Sequence, residues 1–322
     1  MKIDTAEAEA ALAIIEKKQR NQPLSESDWS RLFNSEGYVR LKKREAQFKR
    51  PFTDEEFKEF MLSDALAQKA TALAETLKSW QGADVQAVAG RALAYLPKNA
   101  RIQAKIYPMI KPQENSFVFE VNSDPAIFLY LDPMVSQSRF ENTLAHELHH
   151  IGYGSSCPTQ QMKAVNAKLP AKTQAVVQWL GAFGEGFAMI AAAGGADVHP
   201  HAVSNDEERI RWDKDVANFN QDLRTVEKFF FDVLENRLNE EEENKMGFSF
   251  FGVQGAWYTV GWKMCVVIEK TLGREKLIEA FCDQKLLLPT YNAAVKKYNQ
   301  AHNQSLVEWS PKLIQAINGA IK

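Results

Sequence analysis

Hydrophobic residues recur at helical spacing through the first part of the chain. The stretch Ala6–Lys18 is rich in Ala, Glu, Leu and Ile, and Leu62–Trp80 again places apolar residues at helical intervals. Ser25 followed by Asp28 and Thr53 followed by Glu56 both indicate helix N-termini, and the second pair fits a full capping box. The pattern therefore predicts a helical N-terminal region over residues 1–95.

The pattern changes in the middle of the chain, where short stretches rich in β-branched and aromatic residues replace the helical spacing. They are Ile102–Ile110, Phe117–Val121 and Ala126–Leu131, and turn-forming residues separate them. Helical spacing returns from Ser138 onward. The sequence therefore predicts an α+β fold, predominantly α-helical, in which residues 96–322 form a second domain with a small sheet just ahead of a long helix.

Overall composition argues against two classes of partner. The chain of 322 residues has 39 basic and 41 acidic residues and a formal net charge of −2. Both signs are spread over both halves, without the basic patch or stripe that binds nucleic acid or an anionic membrane. We therefore expect neither partner, and the oligomeric state stays open.

The cysteines and the N-terminus bear on the compartment. Cys157, Cys265 and Cys282 are widely spaced and form no C-x-x-C pair, which argues against a disulfide framework and against a cysteine-based zinc site. The N-terminus lacks the basic and apolar regions of a signal peptide, and no stretch approaches the roughly 18 to 20 apolar residues of a membrane-spanning helix. The sequence thus predicts free thiols in a soluble protein, cytoplasmic as it stands, or exported if a leader has been removed.

The main chemical signal is the segment His146-Glu147-Leu148-His149-His150, which fits the motif H-E-x-x-H. On a helix, positions i and i+4 share one face, so His146 and His150 can direct their imidazoles at one ion. Zinc favours imidazole nitrogen together with carboxylate oxygen, and its catalytic sites keep one position open for water. Glu147 lies beside the pair, where it can accept a proton from that water.

The residues around the motif favour a helix. Gly152 and Gly154 are suitable residues for ending it. An apolar stripe that can pack inward, away from the two histidines, runs along the same stretch: Phe140, Leu144, Leu148 and Ile151.

A third ligand has to come from elsewhere, because the metzincin continuation H-x-x-G-x-x-H is absent. The stretch Ala175–Ala193 is apolar almost all round and should be buried, and Glu185 is its only charged residue. Because a buried carboxylate needs a cation, Glu185 has two candidate partners: a zinc ion, or a structural Arg or Lys. Gly184 and Gly186 would leave room for a facing helix.

These residues resemble the gluzincin metallopeptidases, in which two histidines of H-E-x-x-H and a glutamate from a later helix hold zinc. The segment that begins at Glu185 fits the E-G-x-A form of that glutamate. The resemblance implies a zincin-like catalytic domain in which His146, His150 and Glu185 hold Zn²⁺. It also implies that the strand Ala126–Leu131 is a substrate-aligning edge strand.

A closer likeness is to bacterial zinc-dependent peptidases of unknown substrate, over roughly residues 92–300. It rests on the runs LYLDP and TLAHELHHIGY, on the pair EG, and on a later Y-x-x-G segment, Tyr258 to Gly261, followed by Met264 and Gly273. The N-terminal helices match less specifically.

The expected reaction is hydrolysis of a peptide or protein substrate, with Glu147 as general base. A further donor should stabilise the oxyanion, and Tyr258, His199 or His201 could supply it. Three alternatives stay open. They are a binding or regulatory protein with structural zinc, a hydrolase of non-peptide amides or esters, and a helical scaffold without metal.

Other residues near the motif have simpler explanations. His149 lies about 100° round the helix from His150, so it is expected to pack against neighbours rather than to bind metal. Asp132 could orient a ligand histidine, but an Asp before Pro133 is more simply a turn residue. Trp257 and the aromatic residues around it are expected to belong to the core.

Overall fold

The computed structural model describes residues 1–121, 123–157 and 160–319, except for the side chains of residues 160 and 161. Helices make up most of this part of the chain, and a small mixed sheet accompanies them. The predicted α+β class, with helices predominant, is therefore confirmed.

Contacts between residues divide the chain into two units, each built from two separate stretches. The first unit comprises residues 1–89 and 102–151. The second unit comprises residues 90–101 and 152–322.

The helices before the sheet follow the predicted capping signals. The backbone N–H of Ser25 donates to the Asp28 carboxylate (2.8 Å), and the N–H of Thr53 donates to Glu56 (2.6 Å). The predicted helix Leu62–Trp80 is broken into two. The helices of this region are α1 (Ala6–Gln19), α2 (Glu26–Phe33), α3 (Glu36–Gln47), α4 (Asp54–Met61), α5 (Asp64–Gln68), α6 (Ala70–Gln81) and α7 (Val85–Leu93).

The sheet lies in the first unit. Its strands in the described residues are β1 (Lys2–Ile3), β2 (Lys105–Met109), β3 (Phe117–Phe119) and β4 (Ala126–Tyr130), in the order β1-β2-β4-β3. Strands β1, β2 and β4 are parallel, and β3 is antiparallel to β4. The three predicted strands are confirmed, whereas the two-residue β1 was not predicted because so short a stretch has no detectable alternation.

Strand β4 is not an edge strand. It pairs with β2 along its whole length, and β3 pairs with Ala126 to Phe128 on the other side. Further along, the N–H of Tyr130 donates to the hydroxyl of Ser116 (3.2 Å). The expectation of a substrate-aligning edge strand at Ala126–Leu131 is therefore wrong, because β3 folds back and occupies that side.

The sheet is followed by α8 (Gln137–Ser156), which carries the H-E-x-x-H motif. The prediction that Gly152 and Gly154 end this helix is wrong, since the helix continues past both. Neither glycine has the positive φ that ends a helix at Gly194. The hydroxyl of Ser156 donates to the carbonyl of Gly152 (2.6 Å), which is compatible with an unbroken helix.

The later helices form the core of the second unit. The indole N–H of Trp257 donates to the carbonyl of Gly247 (2.8 Å), and the ring of Phe183 packs edge-on against it at 4.9 Å. Trp257 is fully buried, as predicted. The helices are α9 (Gln160–Asn166), α10 (Ala171–Leu180), α11 (Gly184–Ala193), α12 (Asp206–Ala217), α13 (Phe219–Leu234), α14 (Glu240–Ser249), α15 (Ala256–Leu272), α16 (Arg274–Cys282), α17 (Gln284–His302) and α18 (Pro311–Asn318).

Among the described residues, one helical stretch, Ala171–Ala193, is long and apolar enough to cross a membrane by length and composition alone. No such stretch was expected from the sequence. Of its most apolar window, 67% is buried inside the protein, and the core helix of a soluble protein passes the same test. A short 3-10 turn, Gly181–Phe183, divides the stretch into α10 and α11.

The prediction of free thiols is wrong for two of the three cysteines. Cys157 and Cys282 form a disulfide, with their Cα atoms 4.6 Å apart. Their separation of 125 residues hides the pairing from any local pattern. Cys265 is free and buried, as predicted.

Candidate metal centre

Helix α8 brings the two motif histidines together. The Nε2 atoms of His146 and His150 are 3.0 Å apart, and their rings lie 4.6 Å apart, nearly perpendicular to each other. Both side chains are half-buried. This is the geometry that the i, i+4 spacing predicted, and two ring nitrogens that face each other can share one cation.

The opposite face of α8 anchors the helix. All four residues of the predicted apolar stripe are buried, and the ring of Phe140 stacks on Trp80 at 4.3 Å. The indole N–H of Trp80 donates to the carbonyl of Val135, just ahead of the helix (3.3 Å). Burial of this stripe leaves the histidine face of α8 available for ligand binding.

Helix α11 carries Glu185 in its first turn. The residues on either side of it, Gly184 and Gly186, are buried, whereas Glu185 itself is half-buried. A Cβ added to Gly186 would lie 2.6 Å from the Cα of Gly261 in α15. A Cβ added to Gly184 would meet nothing within 4 Å. The predicted need for a small residue is therefore confirmed at Gly186 and wrong at Gly184.

The structure brings the three predicted ligands together. One ligand atom from each of His146, His150 and Glu185 lies within 4.8 Å of the others. No other group of three or more His, Cys, Asp or Glu residues in the described part of the chain has this arrangement.

This donor set fits a zinc ion. Zinc binds imidazole nitrogen and carboxylate oxygen at about 2.0–2.2 Å, so two of its tetrahedral ligands lie about 3.3 Å apart. The distance of 3.0 Å between the two histidine nitrogens is close to that value. Three protein ligands also leave the fourth position for water or substrate, as catalytic zinc sites require.

Two neighbours of the ligands in α8 occupy different environments. Glu147 is half-buried. His149 is almost fully buried, with 1% of its surface exposed, as expected for a residue that packs against its neighbours.

Asp132, His199 and His201 each have a polar group of a neighbouring residue within hydrogen-bond distance. The backbone N–H of Met134 donates to the Asp132 carboxylate (2.8 Å), which is the turn predicted as the simpler explanation. His199 Nε2 lies 3.0 Å from Asp213, and His201 Nδ1 lies 3.0 Å from the hydroxyl of Ser204.

His201, in the loop before α12, is buried. Only 5% of its surface is exposed, and its ring packs 5.1 Å from Trp212. Tyr258 lies half-buried in the first turn of α15.

A set of residues around the ends of the ligand helices was not predicted from the sequence. The hydroxyl of Tyr153, at the C-terminal end of α8, donates to the carbonyl of Phe281 (2.6 Å). Phe187 of α11 stacks on Phe281 at 4.4 Å and packs edge-on against Tyr153 at 6.2 Å. The disulfide joins the same segments. Tyr153 lies in the run TLAHELHHIGY that carries the family likeness, but this run does not show which residue the Tyr153 hydroxyl binds.

Comparison with known proteins places the chain in a family. No curated protein and no solved structure matches the chain. A family model described as "Putative zinc dependent peptidase (DUF5700)" matches residues 29–300, which begins well before the likeness seen from the motifs alone. This match covers most of the chain and includes both histidines, Glu147, Glu185 and Tyr258, and the protein therefore belongs to the family of that description.

Proposed function

We propose that this protein is a zinc-dependent hydrolase of the gluzincin type that cleaves peptide bonds. The observation that carries the proposal is the convergence of His146, His150 and Glu185, whose ligand atoms lie within 4.8 Å of one another. Two imidazoles and one carboxylate are a typical ligand set of catalytic zinc. The description of the family supports a peptidase among the possible hydrolases.

Zinc held by these three residues would supply a Lewis acid that acidifies water and polarises a substrate carbonyl. We assign proton transfer to Glu147, which directly follows His146 in α8. Its carboxylate would accept a proton from the attacking water and deliver that proton to the leaving amine nitrogen. In this assignment Glu147 contacts the reacting atoms and is not a metal ligand.

A hydrogen-bond donor is also needed for the carbonyl oxygen, which gains negative charge in the transition state. We assign this role to Tyr258, because a phenol stays protonated at neutral pH and donates without adding charge. The histidines of the loop before α12 are weaker candidates, since His199 has Asp213 within 3.0 Å and His201 has Ser204 within 3.0 Å.

The test is cleavage of a peptide library by the purified protein, with and without a zinc chelator. The wild type should cleave a subset of peptides, and the chelator should abolish cleavage. Glu147→Gln should still bind about one zinc per chain but lose about 10²- to 10⁴-fold in rate, because the general base is removed while the ligands stay. Glu141→Gln, on the same helix, is the matched control and should keep the wild-type rate.

The alternatives give different results. Zinc that is retained without hydrolysis of any peptide, and a cobalt-substituted protein whose spectrum indicates a closed four-coordinate site, would identify structural zinc. Hydrolysis of non-peptide amides or esters, but not of peptides, would support the catalytic zinc site and contradict the peptide substrate. Protein that contains no zinc by elemental analysis, even after metal is added, would contradict the proposal.

A further inference from the structure

The C-terminal end of α8 is joined twice to the C-terminal end of α16. The Tyr153 hydroxyl donates to the carbonyl of Phe281 (2.6 Å), and Cys157 forms a disulfide with Cys282. Cys157 directly follows α8, and its backbone N–H donates to the carbonyl of Tyr153 (2.7 Å), so the two residues lie on the same side of the helix end. Phe281 and Cys282 are consecutive, which makes the two links a single clamp between the same two segments.

This clamp also contacts the helix that carries Glu185. Phe187, two residues after Glu185, is fully buried and stacks on Phe281 at 4.4 Å. Phe187 also packs edge-on against Tyr153 at 6.2 Å. A shift of α16 relative to α8 would therefore move the aromatic contact that holds the first turn of α11.

We propose that the Cys157–Cys282 disulfide is a positioning element for the metal centre, and that its reduction lowers zinc affinity. The inference rests on the proposed zinc site. His150 lies in the last two turns of α8, which Cys157 directly follows, and Glu185 lies half a turn before Phe187 in α11. The clamp thus joins the ends of both ligand-bearing helices to one point on α16. Neither cysteine contacts the metal in this proposal.

The redox step is a thiol–disulfide exchange. A dithiol such as dithiothreitol reduces the Sγ–Sγ bond of the protein: it supplies two electrons and two protons, becomes a cyclic disulfide, and leaves thiols on Cys157 and Cys282. Disulfides persist in oxidising compartments and are reduced in the cytosol. The clamp would accordingly be closed in the former and open in the latter.

The experiment measures the zinc dissociation constant of the full chain by competition with a chromophoric chelator. It compares oxidised wild type, wild type reduced with dithiothreitol that is then removed anaerobically, Cys157→Ser, Cys282→Ser and the control Cys265→Ala. We expect reduction and both serine variants to weaken zinc binding by about 10- to 100-fold, the range seen when groups that orient metal ligands are lost. Cys265→Ala should bind zinc like the oxidised wild type.

Hydrogen exchange of the metal-free protein provides a second measurement. On reduction, amides in the last turns of α8 and the first turn of α11 should exchange faster, whereas those of α18 should not change. If the reduced protein is folded and its zinc dissociation constant is within twofold of that of the oxidised protein, the inference is overturned. The proposed zinc site would still be supported by that result.

Two further outcomes also contradict the inference. Loss of the circular dichroism of the whole protein on reduction would show that the disulfide maintains the fold in general rather than the ligand positions. Absence of zinc binding by the oxidised wild type would refute the zinc site itself, and the positioning role with it.

Discussion

Gly186 of α11 and Gly261 of α15 are in direct backbone contact. A Cβ added at Gly186 would lie 2.6 Å from the Cα of Gly261, and one added at Gly261 would lie 3.2 Å from the Cα of Gly186. Because Glu185 immediately precedes Gly186, the same contact determines where the first turn of α11 holds its carboxylate.

This contact predicts that Gly186→Ala is destabilising and weakens zinc binding. The new methyl group would overlap the backbone of Gly261 and Trp262, which cannot move as a flexible side chain can. Overpacking of this kind costs about 1–3 kcal/mol in the free energy of unfolding, and α11 must shift to relieve it. Chemical denaturation and zinc titration of the variant would measure both effects.

Gly184→Ala is the matched control, two positions earlier on the same helix. A Cβ at Gly184 meets nothing within 4 Å, and its backbone is right-handed helical, with φ −53° and ψ −25°. Alanine should therefore stabilise the helix by up to about 1 kcal/mol and leave zinc binding unchanged. Equal losses in the two variants would contradict the role of the contact with Gly261.

Glu185→Ala should weaken zinc binding while the protein stays folded. Glu185 is the one carboxylate whose oxygen lies within 4.8 Å of the nitrogens of both His146 and His150 in the described residues. Its loss should cost more affinity than the roughly 10- to 100-fold that follows removal of an orienting group. Isothermal titration with zinc and circular dichroism would separate the two properties.

The exposed Glu241 of α14 offers a comparison, because Glu241→Ala removes one negative charge from the same unit without touching the site. Unchanged zinc affinity in Glu185→Ala would remove Glu185 from the ligand set. The search would then turn to the acidic residues at the start of α12: Asp206, Glu207 and Glu208.

The proximity of the two motif histidines, which the sequence predicted, depends on local spacing. His146 and His150 converge because positions four apart share a helix face whatever surrounds the helix. Glu185 stood out because a single charge in an apolar helix requires a partner. The helix starts at Ser25 and Thr53 likewise rest on short-range signals, and both are confirmed.

The features that were missed depend on contacts between distant parts of the chain. The pairing of β3 with β4 depends on how the chain folds back. The alternation of apolar and polar residues therefore did not show that β4 has a paired strand on both sides. The disulfide joins cysteines 125 residues apart. Gly152 was expected to end α8, but a glycine ends a helix only if the chain leaves the helical conformation there.

A buried carboxylate in α1 predicts that stability depends on pH. Glu7 has 1% of its surface exposed, and burial raises its pKa to about 8 from an ordinary value of 4.5. Between these values the folded state binds more protons than the unfolded state. Stability should therefore fall as pH rises from about 4.5 to 8, by at most about 1.4 kcal/mol per pH unit.

The charge of Lys111 acts to lower the pKa of Glu7, and burial lowers the pKa of the Lys111 ammonium group itself from 10.5 to about 8. Its folded state binds fewer protons between these values, so its contribution makes stability rise with pH above about 8. In the window from pH 5 to 8 the contribution of Glu7 is thus separate from that of Lys111. Denaturation curves should show that the free energy of unfolding falls less between pH 5 and 8 in Glu7→Gln than in the wild type. Glu9→Gln, an exposed control on the same helix, should behave like the wild type. If stability depends on pH in the same way in all three proteins, Glu7 is not the group responsible.

The last prediction concerns Tyr258, which we assign to the substrate oxyanion. Removing its hydroxyl in Tyr258→Phe should lower kcat by roughly 10²- to 10³-fold with KM and Tm little changed, because the donor acts mainly on charge that develops in the transition state. Tyr291→Phe is the matched control: its buried hydroxyl donates to the carbonyl of Val307 (2.9 Å), so its loss should reduce stability and leave turnover near normal. Steady-state kinetics on a peptide from the library, with thermal unfolding of each variant, measures both properties. Near-normal turnover in a folded Tyr258→Phe protein would make Tyr258 a structural residue and leave His199 and His201 as the next donors to test.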